Sequence, residues 1–565
     1  MKTLYLSIIM IVVLLSPSFA QKGKDSWAKE QLEKMTLEEK IAQLIMVRVH
    51  SESNKATHDL KVAEMEKYQF GGVCFYQGTP IQQVEVTNRL QAVSKVPLLI
   101  GIDAEWGVAM RLSHSAMFPR QLALGAMDSS GNALIYEMGK EIALQCKALG
   151  VHINFAPVVD VNSNSKNPVI GSRSFGEDAR MVTEKSICYI KGLQDNGVSA
   201  CIKHFPGHGD TDVDSHSNLT VIKKSRQELD SIELYPFRKI IEIGVDMVMP
   251  GHLRVPALDS NKNAIASLSQ KITTDLLVKE MHYEGIIVSD GLDMSVIKSY
   301  VSLDMPVEVK ALLAGNDILL DPIDAKRAVL AIKKAVEQGI ISKKMINEKC
   351  LRVLQFKERK GLTQYQPINT NGIYKKLNSP AATQLIEQLT AKTITLLKNE
   401  DKTLPIIDEV KDSMVFLAIG SENYAESFEK ICRQYGIQYV QAPRSINAKN
   451  ASILKGQLSR YSKVIIGMLG TNQYTQYNFG IYKESILFIN NLSKEKEIIF
   501  TLYANPYSLS YFTEVENVQA LIVSYQPTIP AVMTTFRAIF GETSFEGRLP
   551  VSIPGYSIFS GLSPY

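Results

Sequence analysis

Along residues 40–355, short apolar runs alternate with longer stretches in which apolar and polar positions repeat with a helical period. The runs fall at 45–49, 72–75, 98–102, 151–155, 198–202, 245–248, 285–288 and 317–320. A short, continuous apolar run suits a strand covered on both faces, as parallel strands are. Eight of them, separated by helices, predict a (β/α)8 TIM-like barrel. Gly150, Gly197, Gly244, Gly285 and Gly315 stand close before the next strand, where glycine can cap a helix in the left-handed conformation. Between residues 358 and 380 the periodicity stops and Gly361, Pro367, Asn369, Asn371, Gly372 and Pro380 accumulate, which predicts a linker. Further apolar runs at 394–397, 415–419, 464–468, 498–502 and 521–523 alternate with helical segments. They predict a smaller C-terminal α/β domain with a mostly parallel open sheet. The expected organisation is a barrel over 21–357, a linker over 358–380 and the second domain over 381–565.

The chain of 565 residues is too long for one hydrophobic core, and its 45% hydrophobic and 21% charged content is that of a globular protein. Residues 1–20 are set apart by Lys2, an apolar run over 4–15 and Ser18-Phe19-Ala20. This pattern predicts a secretory signal cleaved near Ala20 and a secreted or periplasmic protein. The run is too short for a transmembrane segment, and no later one is expected. Removal of residues 1–20 deletes one Lys and no acid, so the formal charge goes from +4 to +3. A charge that weak argues against nucleic acid as a partner. Cys74, Cys146, Cys188, Cys201, Cys350 and Cys432 show no CxxC and no regular spacing, which predicts buried, unpaired thiols.

The polar residues that follow the predicted strands are Asp103 and Glu105, Asp160, Lys203 and His204, His252, Asp290 and Asp321. In a barrel such positions form the C-terminal rim, where chemistry occurs. The densest group is residues 203–216, which hold Lys203, His204, His208, Asp210, Asp212, Asp214 and His216. Asp210, Asp212 and Asp214 match the first ligands of a calcium loop, but Ser215 and Val221 stand where the loop needs Gly and a bidentate Glu. A transition-metal site on His204, His208 and His216 fits no standard ligand spacing, and no metal is expected. The third reading is an acid/base unit. Asp214 lies two residues from His216, close enough to fold onto one ring nitrogen and leave the other to donate a proton.

Asp290 ends the apolar run of 285–288 and is followed by Gly291, a position suited either to nucleophilic attack or to capping a helix near Leu292. Asp103 and Arg111 are either a structural pair or a hydroxyl-binding pair, with Trp106 offering an apolar face to a pyranose.

Taken together these residues resemble glycoside hydrolase family 3, in its NagZ-type N-acetylglucosaminidase branch. The branch carries KH(F/I)PGxGxxxxD(S/T)H, which residues 203–216 match at every defined position. The likeness extends to Asp103, Arg111, residues 154–160, Arg173-Ser174-Phe175-Gly176, Asp290, residues 391–399 and Gly547-Arg548-Leu549-Pro550. It implies Asp290 as nucleophile, His216 as acid/base and Asp214 as its partner. It also implies that Asp103, Arg111, Arg173, Lys203 and His204 hold the terminal sugar, and that no cofactor takes part. The implied activity is that of a retaining exo-β-N-acetylglucosaminidase acting on peptidoglycan fragments or related glycans by double displacement. One departure stands out: Glu105-Trp106-Gly107 replaces the usual Glu-Gly-Gly.

The alternatives are a β-glucosidase or a phosphorylase of the same family, or an inactive carbohydrate-binding relative. Gly291 after the nucleophile, where β-glucosidases have Trp, disfavours the first, and the intact acid/base motif disfavours the last. Substrate-assisted catalysis by an Asp-Glu pair would have only Asp408-Glu409, which lies in the second domain without the flanking residues such a pair requires.

Overall fold

The computed structural model describes residues 26–212, 219–300, 305–407 and 411–563. Its first sheet has eight parallel strands: β1 (Ile45–Val49), β2 (Gly72–Phe75), β3 (Leu99–Ile102), β4 (Ile153–Asn154), β5 (Ser199–Phe205), β6 (Met247–Pro250), β7 (Ile286–Ile287) and β8 (Leu319–Leu320). β8 lies beside β1, and a parallel bridge between Val288 and Ile318 joins β7 to β8, so the sheet closes into a ring in chain order. All eight strands coincide with the apolar runs of the sequence. Nearly every strand residue is buried, because helices cover the outside while side chains such as Met46 and Phe155, which meet over Gly101, help fill the inside.

Gly150, Gly197 and Gly244 do adopt positive φ, between 69° and 88°. Gly285 does not, and is there for space: a Cβ would sit 2.2 Å from the Tyr283 hydroxyl and 2.6 Å from the Asp246 carbonyl.

The second sheet has β9 (Thr395–Asn399), β10 (Met414–Ile419), β11 (Gln438–Ala442), β12 (Lys463–Met468), β13 (Glu497–Leu502) and β14 (Ala520–Val523), in the order β9-β14-β13-β12-β10-β11. Only β9 runs antiparallel to its neighbour. β11 has no apolar run to announce it, since it is an edge strand whose polar residues face solvent.

The boundary between the two units needs correction. Within the expected linker of 358–380, Leu362, Ile373 and Leu377 are buried in the barrel's core. The next helix, Pro380–Ala391, falls in the expected second domain, yet it adds Ala382, Leu385 and Leu389 to the same core. Gly and Asn in this stretch mark turns between short helices rather than a free tether. In the opposite direction, the helix Gln121–Gly125 leaves the barrel and places Leu122, Ala123 and Ala126 in the core of the second domain, beside Leu549 and Val551. The two units are thus packed by exchanged apolar side chains. Among the described residues no helix is long and apolar enough to cross a membrane.

Gly125 marks how close that packing is, because a Cβ there would lie 1.7 Å from the Phe175 carbonyl oxygen and 2.9 Å from Pro550. In a free helix, Gly→Ala stabilises by about 0.8–1.0 kcal/mol. Here the obstacle is backbone, so Gly125→Ala is expected to destabilise the protein by about 1–3 kcal/mol. Urea or thermal unfolding checks the sign, and a variant as stable as the parent would contradict this account of the interface.

Candidate active site

The carboxyl ends of the barrel strands border a cavity of about 670 Å³. Asp103, Arg111, Arg173, Lys203, His204 and Asp290 all line it, so the structure gathers these six expected residues on one surface. Asp214 and His216 lie outside the described residues.

At the centre is a lattice of buried charge. Lys203 Nζ sits 2.8 Å from Asp103 Oδ1 and 3.0 Å from Glu105 Oε1. Arg111 Nη2 donates to Asp103 Oδ2 at 2.5 Å. Arg173 grips Glu105 with a fork, Nη2 to Oε1 at 2.7 Å and Nε to Oε2 at 3.0 Å. Burial by itself would raise both carboxyl pKa values. For Asp103 the opposing charges of Lys203 and Arg111 win and hold it far below the usual range. For Glu105, Arg173 and Lys203 hold it down to about 2. Both acids therefore stay anionic at any working pH, and Asp103 keeps lone pairs for a ligand's hydroxyls. Glu105 is wholly committed to the protein, which makes it a positioning residue for Arg173 and Lys203.

Consecutive strand residues normally point to opposite faces. Lys203 and His204 nevertheless both line the cavity, because the pairing of β5 with β6 shifts register between Lys203 and Phe205. Asp160 then fixes the imidazole: its carboxylate accepts the backbone N–H of His204 and of His208, and takes Nδ1 of His204 at 2.8 Å. Nδ1 carries the proton in this arrangement, which leaves Nε2 for a ligand. His208, buried behind it beside His204, has its pKa pulled down by burial to about 4. Its Nδ1 meets Thr211 Oγ1 at 3.1 Å.

Asp290 stands just past β7, half-buried, with its Oδ1 accepting the N–H of Gly291 at 2.8 Å. It does not cap a helix near Leu292, since the next helix is Ser295–Tyr300. His252 secures the turn from below: Nε2 donates to the Gly291 carbonyl at 2.9 Å, and the Ser267 hydroxyl donates to Nδ1 at 2.7 Å.

Three parts of the site go beyond the sequence pattern. Arg48 on β1 binds Asp293 and Asp321, and both it and Arg111 lie against the ring of Tyr76, at 4.4 and 4.7 Å. Burial raises the Asp321 carboxyl to about 6 despite Arg48 and the Tyr76 hydroxyl. An Arg inside an otherwise apolar strand is the signal that could have found this group. Tyr474 and Gln476 of the second domain close one wall of the cavity, which no local pattern could reveal. Trp106, expected to face the sugar, instead carries the Arg120 guanidinium on its ring at 3.9 Å and borders a neighbouring cavity.

Comparison with known proteins agrees with this architecture. Residues 36–356 match the glycosyl hydrolase family 3 N terminal domain. The chain is 28% identical over 553 residues to beta-hexosaminidase A of Pseudoalteromonas piscicida, covering 86% of this chain and 90% of that protein. It is 26% identical over 412 residues to a beta-N-acetylglucosaminidase/beta-glucosidase of Cellulomonas fimi, covering 71% of each. Among solved structures, a glycoside hydrolase family 3 beta-N-acetylglucosaminidase from Paenibacillus sp. str. FPU-7 superposes with a TM-score of 0.78 at 29% identity, over 91% of this chain and 98% of that one. A match over more than half of the chain, on the residues that form the barrel and carry the charged lattice, means that this protein belongs to glycosyl hydrolase family 3.

Proposed function

We propose that the protein is a secreted, retaining exo-β-N-acetylglucosaminidase that removes terminal β-linked N-acetylglucosamine from peptidoglycan fragments or related glycans. The observation that carries this reading is the shared cavity of Asp290 and the Asp103–Lys203–Arg111 lattice. A half-buried carboxylate faces a set of fixed charges able to hold sugar hydroxyls. Likeness to the Pseudoalteromonas beta-hexosaminidase A and to the Paenibacillus beta-N-acetylglucosaminidase supports the choice of sugar. Export rests on the first twenty residues.

In the proposed reaction Asp290 attacks the anomeric carbon while the glycosidic bond breaks. His216, oriented by Asp214, gives its proton to the departing oxygen, and a glycosyl ester on Asp290 remains. Water then attacks the same carbon, His216 takes its proton, and Asp290 leaves as a carboxylate. Two inversions retain the β configuration. Through both steps the Asp103 carboxylate accepts hydrogen bonds from sugar hydroxyls, Arg111 and Lys203 hold it anionic, and His204 offers Nε2. The cycle uses no metal or cofactor, so prolonged chelation is expected to leave the rate unchanged, and a loss restored by zinc would contradict the scheme.

Asp290→Asn removes the anion and nearly preserves shape, so turnover of an aryl N-acetylglucosaminide is expected to fall by several orders of magnitude with the fold intact. Near-normal rates would sink the nucleophile assignment, as would a fluorinated slow substrate found by mass spectrometry on another residue.

The acid is needed most when the leaving group is a poor one. His216→Ala is expected to slow glycan cleavage by roughly 10²–10⁴-fold and glycosylation by a nitrophenyl substrate far less. Azide, which attacks without a base, should restore turnover of the nitrophenyl substrate and yield a glycosyl azide. Equal damage to both substrates with no azide product would move the acid/base role to another residue.

A further inference from the structure

Beside the catalytic cavity lies a second one, of about 540 Å³, where the carboxyl edges of the two sheets meet. β10 pairs with β11 on one side and β12 on the other, so the chain reverses its direction of travel across the sheet between them. In open α/β sheets the crevice outside such a reversal is where ligands bind. The loops that leave β10 and β12 bring Tyr424, Asn472 and Tyr474 to this cavity, and the barrel rim supplies Trp106 and Arg120.

Its charge is one-sided. Arg111, Arg120 and Arg173 line it, and no Asp or Glu does among the described residues. Arg173 is held by Glu105 and Arg111 is paired through Nη2 with Asp103, although the Arg111 Nε has no partner among the described residues. Arg120 is not spent: among the described residues its guanidinium makes no ion pair or hydrogen bond, feels the Glu105 charge only at longer range, and sits over the Trp106 indole, 3.9 Å from the ring centroid. Its backbone N–H donates to Gln526 Oε1 at 3.2 Å, which ties the residue to the second domain. Burial pulls its pKa down to about 10, so it is still protonated at neutral pH. A guanidinium held on an aromatic platform, with its donors unused, is prepared for an oxyanion.

The location says where that oxyanion belongs, given the hydrolase reading above. On that reading the leaving group departs toward the acid/base pair, which follows Asp212 in the chain, and Asp212 itself borders a different cavity, with Lys166 and Tyr511. Arg120's cavity adjoins Arg111 and Arg173, on the side that holds the terminal sugar. Of that sugar's hydroxyls, the exocyclic one on C6 projects farthest from the ring.

We propose that this cavity is a subsite for an anionic ester, sulfate or phosphate, on the 6-hydroxyl of the terminal N-acetylglucosamine, with Arg120 as its specificity-determining residue and Trp106 as the platform. The replacement of Glu-Gly-Gly by Glu105-Trp106-Gly107 thereby acquires a purpose: the indole exists to present Arg120.

The test compares 4-nitrophenyl N-acetyl-β-glucosaminide with its 6-O-sulfate, on the wild-type protein, Arg120→Gln and Arg120→Lys. The wild type should cleave the sulfated substrate with kcat/KM at least equal to that of the plain one. Arg120→Gln should lower the sulfated-to-plain ratio tenfold or more, chiefly through KM, and Arg120→Lys, which keeps the charge but not the fork, should lower it less. An unchanged ratio, or a wild type that cleaves only the plain substrate, overturns the subsite and leaves the hydrolase reading standing. Failure to cleave either substrate overturns both. Inorganic sulfate and phosphate separate an ester from a free ion. If either binds at submillimolar concentration in calorimetry, Arg120→Gln abolishes that binding and the ratio stays flat, the cavity holds a free anion and the ester assignment falls.

Discussion

The ammonium of Lys203, buried between Asp103 and Glu105, is the contact on which the site depends. Two carboxylates this close repel each other and are costly to bury, and a cation between them turns the repulsion into a clamp. Arg111 and Arg173 complete the balance from the outside, so three positive groups surround two negative ones. An ion network of this kind adds little net stability, but removal of one partner leaves an uncompensated charge and costs about 3–5 kcal/mol. Its value lies in stiffness. Asp103, Glu105 and Lys203 are each held by two partners before a sugar arrives, so little ordering of them remains to be done on binding.

The barrel was legible because its strands are buried on both faces, and burial of that kind leaves an uninterrupted apolar run in the sequence. The same physics explains what was missed. β11 is an edge strand with a wet face, so no run marks it. The stretch 358–380 is rich in Gly, Asn and Pro, and composition alone cannot distinguish a tether from short helices whose few apolar residues, Leu362, Ile373 and Leu377, are all buried.

For the site, position was easier to read than partnership. Asp103 and Asp290 follow strands and Lys203 and His204 stand near the end of β5, so all four lie at the carboxyl end of the barrel. What each one touches depends on contacts between distant segments. Asp160 and His204 are joined across 44 residues and Arg48 and Asp321 across 273, separations that no local window covers. Trp106 shows the hazard in its clearest form, since a lone tryptophan near sugar-binding residues suggests stacking on a pyranose until the Arg120 that occupies its face is seen.

The helix Gln121–Gly125 carries a consequence for how this architecture can change over time. Leu122, Ala123 and Ala126 are covered by the second domain, while Ala382, Leu385 and Leu389 follow the barrel's last strand yet complete its core. The two halves are therefore not interchangeable modules that a gene could gain or shed by a cut at the apparent joint. A barrel freed of its companion would carry an oily patch at 122–126, and a cut at 380 would strip the barrel of a helix it needs. Any lineage that trims this protein to one domain must cut near residue 392 and rewrite 122–126 as a polar surface in the same step.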